Sequence, residues 1–375
     1  MYKIILITVL ALSFNSANAQ EAVLLQDKTS IIKAEVVEVL SEETRNVPGT
    51  DVKTTYQSLK VKILEGDKKG TVIDIKDDYL KLEKGDVFLL NDTIRAEDKV
   101  QLYTVFDSYR LPSIIVLTVI FVVLTVLIGG IQGIRGLLSL AGSLLLIMYV
   151  LIPSILDGYS PIVVSMLVSS MIIVLGSYIT HGFNKTTTSA VFGMLVTIAI
   201  TGTLAYYSVD ATRLTGFESE ESVYLNLSTR GSIDMVGILL SGIMIGLLGV
   251  LYDVAIGQAI SVEELHHIAP NVSRKKVFKR ALRMGREHIG ALVDTLAIAY
   301  VGASLPLLLL FSLSENTSIS ILNREIFAVE IIRTLIGSIG LILAVPITTA
   351  ISVWMIVKIE GKISDEEIPE IKHIH

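Results

Sequence analysis

Two patterns of apolar and polar positions divide the chain. From about residue 20 to 110, apolar positions come in short alternating or β-branched runs: Ile31 to Leu40, Tyr56 to Leu64, Gly70 to Ile75, Asp86 to Leu90 and Lys99 to Phe106. Turn clusters such as Gly66-Asp67 and Gly85-Asp86 separate them. Five short strands in about ninety residues predict a small β domain, a barrel or a sandwich. After Arg110 the runs lengthen to about 18 to 22 uncharged residues, enough at 1.5 Å per residue to cross roughly 30 Å of hydrocarbon. They predict spans near 112–131, 136–153, 161–180, 188–208, 235–252, 290–312 and 335–357. The expected fold class is a membrane all-α helical bundle of about seven transmembrane helices behind an extracytoplasmic small β domain.

The two ends complete this division. Lys3, an apolar region from Ile4 to Phe14 and Ala17-Asn18-Ala19 read as a signal peptide over residues 1–19, because that region is too short to span a membrane. The β domain then occupies 20–108, the helical domain 109–358 and a cytoplasmic tail 359–375.

Composition agrees, with 51% hydrophobic and 18% charged residues and a mean hydropathy of +0.65. This is the balance of a polytopic membrane protein, so the lipid bilayer is the first expected partner. The net charge is only −6, with the basic residues concentrated in one loop, and nucleic acid is not an expected partner. Without cysteine the exported part has neither disulfides nor thiol chemistry.

Loop charge gives the orientation independently. Alternate loops hold Arg135, Lys185 and then Arg274, Lys275, Lys276, Lys279, Arg280, Arg283 and Arg286. The opposite loop at 209–231 has only Arg213 and Arg230 against Asp210, Glu218, Glu220 and Glu221. Positive loops stay inside, so the expected location is the bacterial cytoplasmic membrane with the N-terminal domain outside and the C-terminus in the cytoplasm.

Small residues mark expected packing faces, because backbones approach closely in lipid where side chains are small. Gly242 and Gly246 form such a pair in the fifth span, and Ala291, Thr295, Ala299 and Gly302 share one stripe of the sixth. The run Gly129-Gly130-Ile131-Gln132-Gly133 is expected to bend the chain tightly between two spans. It carries no phosphate-binding pattern, since no Lys-Ser or Lys-Thr pair follows.

The ionisable residues bordering the spans are the candidate chemistry. Asp253 follows eighteen uncharged residues, Met235 to Tyr252, and Asp294 precedes twenty, Thr295 to Ser314. Each acid can therefore lie at an interface. With Arg286, Glu287 and His288 they converge near the cytoplasmic face. Such a cluster reads either as a structural ion-pair network or as a proton or cation relay of Asp253, Asp294, His288 and Arg286, with His288 able to titrate near neutral pH. Glu330 and Arg333 are three apart and pair on one helix face near the outer interface. Pro306 and Pro346 inside spans are expected to kink or interrupt them.

Enzymatic chemistry finds no constellation here. His266 and His267 are adjacent and His373 and His375 lie in the tail, neither pair with a companion at zinc-like spacing. No GxSxG, HExxH or Walker sequence occurs. Neither an enzyme, a cofactor nor a metal is expected.

The order of an exported β domain, then GGIQGIRGLLSLAGSLLLIMYVLIPSILDGYSPI, SGIMIGLLGVLYDVAIGQAISVEEL and GREHIGALVDTLAIAYVGASLPLLLLF resembles the YibE/F-like family of bacterial membrane proteins. The resemblance covers nearly the whole mature chain and implies a multi-span bacterial membrane protein, with no biochemical activity to carry over. The fifth-to-sixth span unit is also similar in pattern to the membrane domains of SecD/SecF and of resistance-nodulation-division proteins, which are proton-driven. Two functions follow as expectations: a transporter-like permease for an ion or small solute, or a non-transport assembly protein whose β domain binds a protein partner.

Overall fold

A computed structural model describes residues 28–358 apart from 47, 48, 50, 51, 78, 79, 97, 98 and 314–316. The expected signal peptide, residues 1–19, and the tail with His373 and His375 lie outside the described residues. The chain divides into two compact units, 1–120 and 121–375.

The first unit is a five-stranded antiparallel sheet in the order β3-β2-β1-β4-β5: β1 (Lys28–Asn46), β2 (Lys53–Ile63), β3 (Val72–Asp77), β4 (Val87–Ile94) and β5 (Gln101–Ser108). Every strand overlaps a run read from the sequence. Strand β1 bulges between Val36 and Glu38 and again between Val39 and Ser41, and it pairs with both β2 and β4. Bulges sharpen twist and curvature, and the outer strands β3 and β5 approach each other in a half-barrel. Alternate residues Leu59, Val61 and Ile63 of β2 enter the core with Val36, Ile75, Phe88 and Leu90. The wholly buried Gln57 closes one end of this core. Its Nε2 donates to Leu82 O at 3.0 Å and its Oε1 accepts from Leu82 N at 2.8 Å.

From Leu111 on, the apolar stretches form helices: α1 (Leu111–Leu146), whose first ten residues belong to the first unit, and then, within the second unit, α2 (Ile152–Leu156), α3 (Pro161–His181), α4 (Lys185–Ala211), α5 (Glu220–Ser228), α6 (Met235–Ile268), α7 (Arg274–Ala303), α8 (Leu305–Ser312), α9 (Ser318–Leu322) and α10 (Glu325–Ile356). One turn of π-helix, Ile147–Leu151, joins α1 to α2. Five helical stretches are long and apolar enough to cross a membrane, and the pair α7 and α8, bent by 67°, passes the same test jointly. The bend falls at Ser304, just before Pro306, where a proline at the start of α8 loses no helical hydrogen bond. At Pro346, the site of an expected kink or interruption, α10 continues without an interruption.

The first apolar stretch, Leu111–Leu156, is 46 residues long. A straight helix of that length would measure about 69 Å. It is broken at Gly130, whose φ of 54° and ψ of −137° suit only a residue without a side chain. Beyond the break the chain doubles back, since a Cβ on Gly133 would lie 2.2 Å from Thr125 O. The glycine run therefore makes the predicted bend.

Helices α4, α6 and α10 pack mutually at the centre, with α3 against α4 and α6, and α7 against α6 and α10. The α4–α10 seam is antiparallel and built on small residues. Ser189 Oγ lies 2.8 Å from Ser352 Oγ, Gly193 faces Thr348, and Gly340 faces Thr201. Successive contacts are four and then eight residues apart on both helices, about one and two turns, so one stripe of each helix stays in register. Helix α1 differs: it is apolar all round, and none of its most apolar window is buried, against 56% for α6.

Candidate functional site

The sixth predicted span begins long before its apolar part. Val277, Ala281 and Gly285 recur every four residues and are buried, so the basic segment is the amphipathic first half of α7 rather than a loop. Val277 and Ala281 pack with Val262 of α6 and Val353 and Ile356 of α10. Arg274 Nε donates to Val357 O at 2.9 Å, capping the exit of α10.

Among the glycines of α7 only Gly285 is closely covered: a Cβ there would stand 2.4 Å from Val345 Cγ1 and 2.6 Å from Gln258 Nε2. Nearby opens a cleft of about 280 Å³ lined by Asp253, Gly257, Gln258 and Ser261 of α6, His288 and Leu292 of α7, and Val345 of α10. Asp253, Gly257 and Ser261 repeat every four residues and so share one face of α6. Gln258 is 5% exposed and connects the cleft to the interior. Its Oε1 lies 2.9 Å from Thr349 Oγ1, which also lies 2.6 Å from Val345 O, one hydroxyl proton for two acceptors. The cleft thus joins a carboxylate, an imidazole, an amide and a hydroxyl, the groups that bind a small cation or pass a proton.

The four residues expected to converge are divided between two faces. Asp253 and His288 line the cleft together, whereas Arg286 and Asp294 are exposed on α7 and line none of it. Asp294 is six residues from His288, about two-thirds of a turn around the helix after one full turn. Among the described residues no ion pair joins any of the four. Sequence reading missed Gln258 and Ser261. A lone amide in the apolar run Val254 to Ile260 was the available signal.

The expected packing glycines also separate. A Cβ on Gly246 would meet Tyr300 Oη at 3.0 Å, but at Gly242 and Gly302 it would meet nothing within 4 Å. A Cβ would come under 3.0 Å from another helix at Gly176, Gly193, Gly285, Gly337 and Gly340. Glycine spacing identifies a small face and says nothing of whether a neighbour covers it.

A second polar assembly stands at the other end of α6. The Glu325 carboxylate, at the start of α10, accepts from Thr215 N, Gly216 N and Phe217 N at 2.7, 2.7 and 3.2 Å, and from Thr215 Oγ1 at 2.7 Å. It fixes the 212–219 loop, in which Gly216 has a φ of +82° and a Cβ would lie 2.3 Å from Met235 O. Arg333 donates to Glu330 at 2.6 Å, the predicted pair, and to Glu218 at 3.0 Å. Burial pushes the Glu218 carboxyl above the ordinary glutamate range, opposed by the Arg333 charge. Glu218 Oε2 and Arg333 Nε are buried without a hydrogen-bond partner among the described residues.

Among the described residues no group of three or more His, Asp or Glu is arranged to hold a metal ion. Neither a curated protein nor a solved structure matches the chain, so the likeness to proton-driven membrane domains carries no further argument. A family model described as YibE/F-like protein matches residues 117–358, from within α1 past the end of α10, and includes both assemblies. On that match, over well more than half of its length, the chain belongs to the YibE/F-like family.

Proposed function

We propose that this chain is a transporter-like permease of the bacterial cytoplasmic membrane that moves an ion or small solute. The observation that carries the reading is the cleft lined by both Asp253 and His288 beside the buried amide of Gln258. Ionisable groups retained beside apolar membrane segments commonly mark ion or proton pathways. In this reading the two arms on either side of Gly130 and the bent pair α7 and α8 each cross once, which gives seven crossings. The α6–α7 turn with its basic residues lies in the cytoplasm, and the β domain lies outside. Asp253 takes up the cation or proton, His288 exchanges a proton with it, and Gln258 offers the next polar contact inward. No catalytic step, cofactor or metal is assigned.

The test is uptake into liposomes containing the purified protein, across a panel of monovalent and divalent cations and proton gradients. Wild type should show gradient-driven flux, and Asp253→Asn should abolish it while remaining folded in the membrane. Absence of flux across the whole panel overturns the permease.

A second reading, an assembly protein whose β domain binds a protein partner, is favoured by the outer face of edge strand β5. Leu102 and Phe106 are both exposed there. Its discriminating result is loss of cellular phenotype on charging those two positions, with Asp253→Asn silent.

A further inference from the structure

The first turns of α7 carry a basic face that the bundle leaves uncovered. With Val277, Ala281 and Gly285 turned inward, Lys275, Lys279, Arg283 and Arg286 are exposed and in no ion pair among the described residues. Measured along the helix axis, Lys279 and Lys275 stand roughly 16 and 22 Å before Gly290, where the apolar half begins. Both distances exceed a screening length of about 8 Å. These two charges are poorly placed to act on lipid headgroups, whereas Arg283 and Arg286, about 10 and 6 Å before Gly290, are within reach of them.

The chain leaves α10 beside the first turn of α7. The bond from Arg274 to Val357 O delivers the end of α10 to the first turn of α7. The tail that follows holds Glu360, Asp365, Glu366, Glu367 and Glu370 against Lys362 and Lys372. Asp365 to Glu367 lie eight to ten residues past Val357, a reach of up to about 26 to 36 Å. Arg274 to Arg286 spans only about 18 Å of helix. The remaining charges at this end, Glu263, Glu264 and Glu287 with His266 and His267, leave the outward stripe of α7 net positive.

We propose that the acidic tail, through Asp365, Glu366 and Glu367, occupies the basic face of α7 and straps the end of α10 to the α6–α7 turn. Single exposed pairs are weak and screened by salt. Tethering compensates, because a short linker holds the acids near their partners at millimolar effective concentration.

The chain has no cysteine, so introduced pairs are its sole thiols. Full-length Lys279→Cys/Glu366→Cys protein in phosphatidylcholine vesicles is oxidised, digested and read by mass spectrometry. A control pair joins Glu366→Cys to Thr229→Cys, beside α5 at the far end of α6. The linked peptide should exceed the control about fivefold at low salt and fall toward it at 1 M salt, as screened and tethered charges require. Adding Asp365→Lys and Glu367→Lys should have the same effect. A yield equal to the control, or one indifferent to charge reversal, overturns the strap. So does loss of the link in vesicles containing phosphatidylglycerol, which would make the face a headgroup site. Lys279 is at the surface, and correct folding is checked by an unchanged melting profile.

Discussion

Gly193 on α4 and Thr348 on α10 meet with no room for another atom: a Cβ on Gly193 would stand 2.4 Å from Thr348 Oγ1 and 2.9 Å from Thr348 Cα. The backbone atom decides the outcome, because rotating the threonine cannot move it. Gly193→Ala should therefore destabilise the bundle by about 1–3 kcal/mol, the usual cost of overpacking. Gly242→Ala, which meets nothing, should change stability by less than about 0.5 kcal/mol. Thermal unfolding of both variants in detergent checks the contrast. Equal melting temperatures would mean that the seam is not close-packed.

Asp253 and Asp294 are equivalent acids by sequence and opposite ones by position. If transport runs through the cleft, Asp253→Asn should lose nearly all flux and His288→Gln a large part of it. Asp294→Asn should retain most of it. The three rates are compared in the same liposome assay at equal protein content. A ranking led by Asp294 would move the path to the other face of α7.

Glu218 gives the 212–219 loop a pH dependence. Its carboxyl is raised by burial, so the neutral form favours the docked loop. Docking is strongest below the ordinary glutamate range and weakens as pH rises through the raised value. Hydrogen exchange at Thr215, Gly216 and Phe217, whose N–H groups are held by Glu325, should show more protection at acidic than at neutral pH after correction for intrinsic rates. Glu218→Gln should flatten that dependence. Protection that increases with pH would reverse the assignment.

In the β domain the amide of Gln57 satisfies both backbone groups of Leu82. Gln57→Ala should leave them buried and unpaired and cost about 1–3 kcal/mol. Gln57→Leu, equally unable to bond them, should not rescue. Accelerated exchange at Leu82 N in the full-length variants would show the loss.

The sequence revealed the strands because period-two alternation and turn residues are local. Leu59, Val61 and Ile63 enter the core as their spacing requires. The apolar helices were legible for the same reason, but their ends were not. The extensions of α6 to Ile268 and of α7 back to Arg274 are charged stretches whose helicity rests on buried positions four apart. Half of the candidate cleft was visible as Asp253 and His288. Gln258 was hidden because an amide is conspicuous only once its apolar surroundings are known to be buried. The Glu218–Arg333 bond joins residues 115 positions apart, and no local pattern announces such a pair.

The break at Gly130 has a consequence beyond its own turn. In the membrane-spanning reading it converts one long apolar stretch into two crossings, so a single backbone torsion sets the parity of everything that follows. A variant whose helix ran straight past residue 130 would place every later loop on the opposite side of the bilayer. The basic turn of α7 and the acidic 212–219 loop would then exchange compartments. Opposition between that torsion and the charge bias of the loops would surface as a protein of mixed orientation rather than an unfolded one.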